Sequence, residues 1–126
     1  MRHLMLGDRE LDVMNVLWDA GSGTVTTVRK ALRANLAYTT VLTILRNLEE
    51  KAYVSRISEG RAHRYYPRIK RDAARRSAIS RVVDTLFHGA PEDLIVHMVE
   101  DRVLSDSEIR RLRSVINASH RSRAHK

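Results

Sequence analysis

Apolar residues recur at three- and four-residue spacing along most of this chain, and the rhythm is interrupted once by a short β-prone stretch. From Asp8 to Ala20 the positions Leu11, Met14, Leu17 and Trp18 share one helix face. Gly21-Ser22-Gly23 ends that helix, because glycine adopts left-handed backbone at little cost. A second, short helix is expected from an N-cap at Thr26, with Val28, Ala31 and Leu32 inward and Asn35 closing it. The third runs from Tyr38 to Lys51. There Val41, Ile44, Leu45 and Leu48 fill a narrow arc, while Thr39, Thr43 and Arg46 lie opposite, flanked by Thr40 and Asn47. Its β-branched residues make this helix intrinsically weak, so tertiary packing must hold it. Threonines on the outer face of such a helix call for a functional explanation.

The β-prone stretch follows. Tyr53–Ser58 and Ala62–Pro67 flank Glu59-Gly60-Arg61 and read as a hairpin, with Pro67 ending the second strand or marking an edge. Beyond Pro67 only helical patterns remain. Asp72 can cap a long helix reaching His88, with Ile79, Val82, Val83 and Leu86 as its stripe and Gly89 as its stop. Pro91 suits the first turn of another, carrying Leu94, Ile95, Met98 and Val99. Ser105-Asp106-Ser107-Glu108 is a capping-box pattern opening a last helix with Ile109, Leu112 and Ile116. That stripe is narrow, nearer a helix–helix seam than a globular core face. Trp18 and the methionines are expected in the core.

The fold class that results is mainly α: a winged helix-turn-helix over residues 1–70, with a small β-wing, then a helical dimerisation domain over 71–118. A basic flexible tail is expected over 119–126. Two units this small gain from association, since a domain of about 60 residues buries too little surface to be secure alone.

Composition sharpens this picture. The 126 residues carry 23 Lys+Arg against 15 Asp+Glu, a net charge of +8. Residues 1–72 hold thirteen basic and eight acidic side chains, and the remainder ten and seven, so the excess is shared between the halves. A polyanionic partner fits, although basic charge alone also suits ribosomal, membrane-surface and nucleoid proteins. With no cysteine, disulfides, thiol redox sensing and common zinc sites are excluded. No apolar run approaches membrane-spanning length, and the start is too short and too soon charged for a secretory signal; a cytoplasmic protein is expected. His88, His97 and His120 are isolated, so neither a metal nor a cofactor is implied, and His63 beside two arginines reads as a phosphate neighbour. No nucleophile, phosphate loop or metal-spaced cluster suggests an enzyme.

The candidate chemistry is nucleic-acid recognition. A major groove admits one α-helix, whose short polar side chains reach base edges and phosphates. A hairpin wing reaches the adjoining backbone with basic residues. Thr39, Thr40, Thr43 and Arg46 on the third helix, and Arg61, His63 and Arg64 around the hairpin tip, supply both parts in the order one fold requires. Each set alone could be an ordinary solvated surface. Their order favours a sequence-specific regulator over a non-specific nucleoid-type protein or a ligand-sensing winged-helix regulator.

The stretch Leu36-Ala37-Tyr38-Thr39-Thr40-Val41-Leu42-Thr43-Ile44-Leu45-Arg46-Asn47-Leu48-Glu49-Glu50-Lys51 resembles the recognition helix of the BlaI/MecI penicillinase-repressor family. So do the wing Gly60–Pro67, the opening Leu11–Trp18 and the helices from Leu94 to Leu112. The resemblance implies a homodimeric repressor on a pseudo-palindromic, double-stranded DNA operator, controlling β-lactam resistance or cell-wall stress genes. It implies DNA contact by Tyr38, Thr39, Thr40, Thr43 and Arg46, and by Arg61 and Arg64 in the wing. The dimer seam would draw on Leu86, Leu94, Met98, Ile109, Leu112 and Ile116. Release in the family involves a membrane sensor-protease, but His97-Met98 stands where the family's cleaved bond aligns, and that site is not carried over. A second departure is Ala52, where the family's turn carries glycine. A left-handed alanine there would cost about 1 kcal/mol.

Overall fold

The computed structural model describes residues 4–124. In order these form α1 (Asp8–Ala20), β1 (Gly23–Thr24), α2 (Val25–Ala31), α3 (Tyr38–Glu50), β2 (Val54–Glu59), β3 (Ala62–Pro67), α4 (Arg71–Leu86), α5 (Pro91–Glu100) and α6 (Asp106–Ala124). The three strands make one antiparallel sheet in the order β1-β3-β2. The chain is mainly helical with a small β-wing, as its patterning predicts.

One core organises the first 81 residues. Val13, Met14 and Leu17 of α1, Val25 and Val28 of α2, and Val41, Ile44, Leu45 and Leu48 of α3 meet Val54 and Tyr65 of the hairpin. All four predicted α3 positions are buried. In α1 the buried arc is turned toward Val13, leaving Leu11 39% exposed. Trp18 is only half-buried: Arg71 stacks 5.3 Å above its ring, and its indole N–H donates to the Ile69 carbonyl at 2.9 Å. Among the methionines Met14 is in the core, whereas Met5 is exposed.

Several boundaries differ from those the sequence suggests. Thr24, not Thr26, caps α2: its hydroxyl accepts from Thr27 N–H at 3.2 Å while Thr27 Oγ1 accepts from Thr24 N–H at 2.8 Å. The helix stops at Ala31, so Ala31 is exposed and Leu32 half-buried, and Asn35 lies in the turn beyond. Strand β1 is unforeseen because two residues carry no period. It pairs Gly23 with Tyr65 and Thr24 with Arg64, placing β3 in the middle of the sheet. Pro67 therefore ends a central strand, at a point β1 does not reach. The hairpin turns on Gly60 and Arg61, with Gly60 at φ 62° as a primed two-residue turn requires.

Asp72 is not the cap of α4. The helix begins one residue earlier, the Lys70 carbonyl accepts from Ala74 N–H at 3.1 Å, and Asp72 sits in the first turn, where its charge suits the helix dipole. The helix ends at Leu86, before His88 (φ 50°) and Gly89 (φ 78°) reverse the chain. Pro91 opens α5 as expected, and Ser105 caps α6, accepting from Glu108 N–H at 3.2 Å while Glu108 Oε1 accepts from Ser105 N–H at 2.9 Å. Hydrogen bonds from Ser105 hold the Glu108 carboxyl below its ordinary pKa. Helix α6 continues through Ala124, with Arg121 and Arg123 in its last turn to complement the dipole, so residues 119–124 are helical rather than a flexible tail. Residues 125–126 of that expected tail, and Met1–His3, lie outside the described residues.

The chain divides into two compact units between Arg81 and Val82, within α4. The start of α4 belongs to the first unit for visible reasons. Arg71 donates to Asp19 at 2.7 Å and to the Asn15 carbonyl at 3.2 Å, Ala74 is buried, and Ser77 Oγ accepts from Leu4 N–H at 2.7 Å.

The turn after α3 does carry a left-handed alanine. Ala52 stands at φ 66°, its N–H donating to the Glu49 carbonyl and that of Tyr53 to Leu48, both at 2.9 Å, which is a Schellman ending without its glycine. Ala52→Gly relieves about 1 kcal/mol of backbone strain and returns part of it as unfolded-state entropy. A melting temperature raised by a few degrees is expected in a thermal unfolding scan; an unchanged or lower one would contradict the strain.

Candidate nucleic-acid interface

Helix α3 is built with two incompatible sides. Its apolar arc is fixed in the core, and this fixes the opposite side in solvent: Thr39, Thr40, Thr43, Arg46 and Asn47 are all exposed, and Tyr38 at the helix start is 47% exposed. Among the described residues Arg46 has no ion-pair partner. Thr43 Oγ1 donates to the Thr39 carbonyl one turn back at 2.9 Å, so its proton is spent inside the helix and its methyl and lone pairs face outward.

The N-terminal end of α3 is bare. Ala37 offers no side-chain cap and the first turn holds no acidic residue, unlike α2, where Thr24 and Thr27 satisfy the end. Unclaimed backbone N–H groups at the positive end of a helix dipole favour an anion. The turn leading into this end is tied back by Arg29, whose Nε donates to the Leu36 carbonyl at 2.8 Å. Nothing in the spacing of Arg29 announces that role, which depends on how the turn folds.

The hairpin extends beyond the core. Val54 and Tyr65 near its base are buried, whereas residues 56–63 are exposed. Arg61 occupies the turn and His63 pairs in register with Ser58; neither has an ion-pair partner among the described residues. Arg64 is different. Its Nε donates to Glu59 Oε2 at 2.6 Å, Nη2 to Glu59 Oε1 at 3.2 Å, and Nη1 to Ser22 Oγ at 3.3 Å. The hydrogen bond to Arg64 holds the Glu59 carboxyl below its ordinary pKa, and Glu59 raises that of Arg64 in return. On the other side of the hairpin Arg56 pairs with Glu49 of α3 at 3.2 Å, so β2 is joined to the helix by charge as well as by packing.

The second unit presents a separate surface. No residue of α5 is buried. Leu86, Ile95, Val99, Val103, Leu112, Val115 and Ile116 are each between 41 and 71% exposed. Ile95, Val99, Leu104, Ile109, Leu112 and Ile116 line one open apolar groove. Of the residues expected at a seam, Leu86, Leu112 and Ile116 are exposed, whereas Leu94, Met98 and Ile109 are half-buried within their own chain. Ile95, Val99, Val103 and Val115 join the exposed set; the first two lie in the α5 stripe, Val103 lies in the loop after α5, and Val115 follows Leu112 by three residues on α6. His97, in the middle of α5, pairs with Asp101 at 2.8 Å and meets the Phe87 ring edge-on.

Comparison with known proteins agrees with this geometry. The penicillinase repressor family model matches residues 6–118. The chain belongs to the penicillinase repressor family. Its family is one of transcriptional repressors and not of enzymes. It is 39% identical over 127 residues to the transcriptional regulator BlaI of Mycobacterium tuberculosis, covering 94% of this chain and 89% of that one. It is 26% identical over 120 residues to the penicillinase repressor of Bacillus licheniformis, covering 94% and 93%. The solution structure of the DNA binding domain of the repressor BlaI matches with 30% identity and a TM-score of 0.52, over 57% of this chain and 90% of that one. Among the described residues no helix is long and apolar enough to cross a membrane.

The threonines on the outer side of α3 lower its helix propensity without contributing to the core. Thr43→Ala is accordingly expected to stabilise this family member by about 0.5 kcal/mol. Urea unfolding measures it, and a clear loss of stability would show that Thr43 serves the fold.

Proposed function

We propose that this protein is a homodimeric, sequence-specific repressor that places α3 in the major groove of a pseudo-palindromic operator. The carrying observation is the polar outer side of α3, solvent-exposed and without ion pairs among the described residues, on a helix whose other side is locked into the core. Thr39, Thr40, Thr43 and Arg46 would read bases and neighbouring phosphates, Tyr38 would lie beside the backbone at the bare helix end, and Arg61 and His63 would reach the flanking phosphates from the wing. A cytoplasmic setting follows from a DNA partner. Control of β-lactam resistance or cell-wall stress genes follows from the family.

Selecting bound duplexes from a random pool tests the reading. A consensus with two-fold symmetry is expected, since half-site spacing mirrors protein symmetry, whereas a pool with no enriched sequence would leave only a non-specific binder. On the selected duplex Arg46→Ala should weaken binding by about 1–3 kcal/mol with folding intact by circular dichroism; unchanged affinity would remove α3 from the interface.

The exposed apolar side of the second unit supports the dimer. A patch of this extent is costly in water and is removed by a second copy. Leu112→Asp should sediment as a monomer and bind DNA far more weakly, and a persisting dimer would place the seam elsewhere. Release from DNA would act on this unit, through a membrane sensor-protease as in the family's usual route. The His97-Met98 bond lies within regular α5 helix, so a protease would need that helix opened before cutting there.

A further inference from the structure

The wing arginines do not do the same work. Arg64 lies on the middle strand, opposite Ile57 on β2 and Thr24 on β1, and its guanidinium reaches to both sides. Two of its nitrogens grip the Glu59 carboxylate at the far end of β2, and the third meets Ser22, just before β1. One side chain thus ties β3 to the far end of β2 and to the residue just before β1. Most of its N–H groups are committed, and it is 28% exposed.

The hairpin needs such a brace. A two-stranded ribbon is marginal by itself in water, and here the residues from Arg56 to His63 have no core to rest on. Strand β1 supports β3 over only two residues. The Arg56–Glu49 pair ties one side of the ribbon to α3, and Arg64 with Glu59 and Ser22 ties the other side to the start of β1. Between these two anchors the turn at Gly60 and Arg61 has a fixed place.

We propose that Arg64 is a positioning residue: held on Glu59 and Ser22, it aims Arg61 and His63 at the phosphate backbone and does not itself neutralise a phosphate. This rests on the DNA-binding reading above. It carries a counter-intuitive consequence for Glu59. Removing a negative charge beside DNA ordinarily tightens binding, yet here it releases the brace and loosens it.

The test measures the affinity of the full-length chain for a short mixed-sequence duplex across a series of salt concentrations. Arg61→Gln should lower affinity and flatten the salt dependence by about 0.9, the signature of one lost phosphate contact. Arg64→Gln and Glu59→Gln should each weaken binding about fivefold, the scale of re-ordering a side chain at an interface, with the salt slope unchanged. A slope flattened by about 0.9 in Arg64→Gln, or unchanged or tighter binding by Glu59→Gln, would overturn the proposal. The wild-type chain provides a check that does not depend on any variant folding. On adding duplex, the Arg64 Nε–H resonance should keep its position while that of Arg46 moves; a comparable shift at Arg64 would also overturn it. A wild-type chain that binds no duplex at all sinks the DNA reading itself, which separates the two failures.

Discussion

What α3 presents to a partner depends on the burial of one arc of its own surface. Val41, Ile44, Leu45 and Leu48 pack against α1, α2 and the base of the hairpin, and each is worth about 1.5–3 kcal/mol relative to exposure. That contribution offsets a helix of poor intrinsic propensity, and it fixes the rotation of the helix about its own axis. With a period of 3.6 residues the outward direction of Thr39, Thr43 and Arg46 is then determined to within a fraction of a turn. The exposed polar face needs no separate device to orient it.

The wing is held by a different kind of force. Packing ends at Val54 and Tyr65, and past that point the ribbon relies on ladder hydrogen bonds and on charge pairs at its two sides. Exposed pairs are individually weak, but the bidentate geometry of Arg64 on Glu59 restricts direction as well as distance. The core therefore supplies rigidity to the helix, and electrostatics supplies it to the hairpin.

This division explains what could be read from the sequence. The apolar arc of α3, the hairpin with its Gly60 turn, Pro91 at a helix start and the Ser105–Glu108 box were legible, because periodicity and capping chemistry act over a few neighbouring residues. Strand β1 was not, since Gly23-Thr24 becomes a strand only when Tyr65 and Arg64 arrive beside it. The cap at Thr24 is local, but Thr26, two residues on, is an equally good capping residue and drew the assignment away from it. At the site, the exposure of Thr39, Thr43 and Arg46 followed from spacing. The grip of Arg64 on Glu59 lies within the hairpin, but its third contact, to Ser22, is 42 positions away, and no local pattern contains it. The half-buried state of Leu94 and Met98 likewise reflects packing within the second unit, which a stripe of apolar letters does not assign to one partner or another.

The position of the division inside α4 bears on where this chain can be cut. A fragment stopping at the loop after Pro67, the natural choice from composition, would lose Arg71 from the Trp18 ring, Ala74 from its buried place and Ser77 from the Leu4 amide. The severed half would keep its three helices and its sheet but shed the strap that covers α1. The compact first unit ends at Arg81, about three helical turns into α4, where the backbone offers no loop to mark the border.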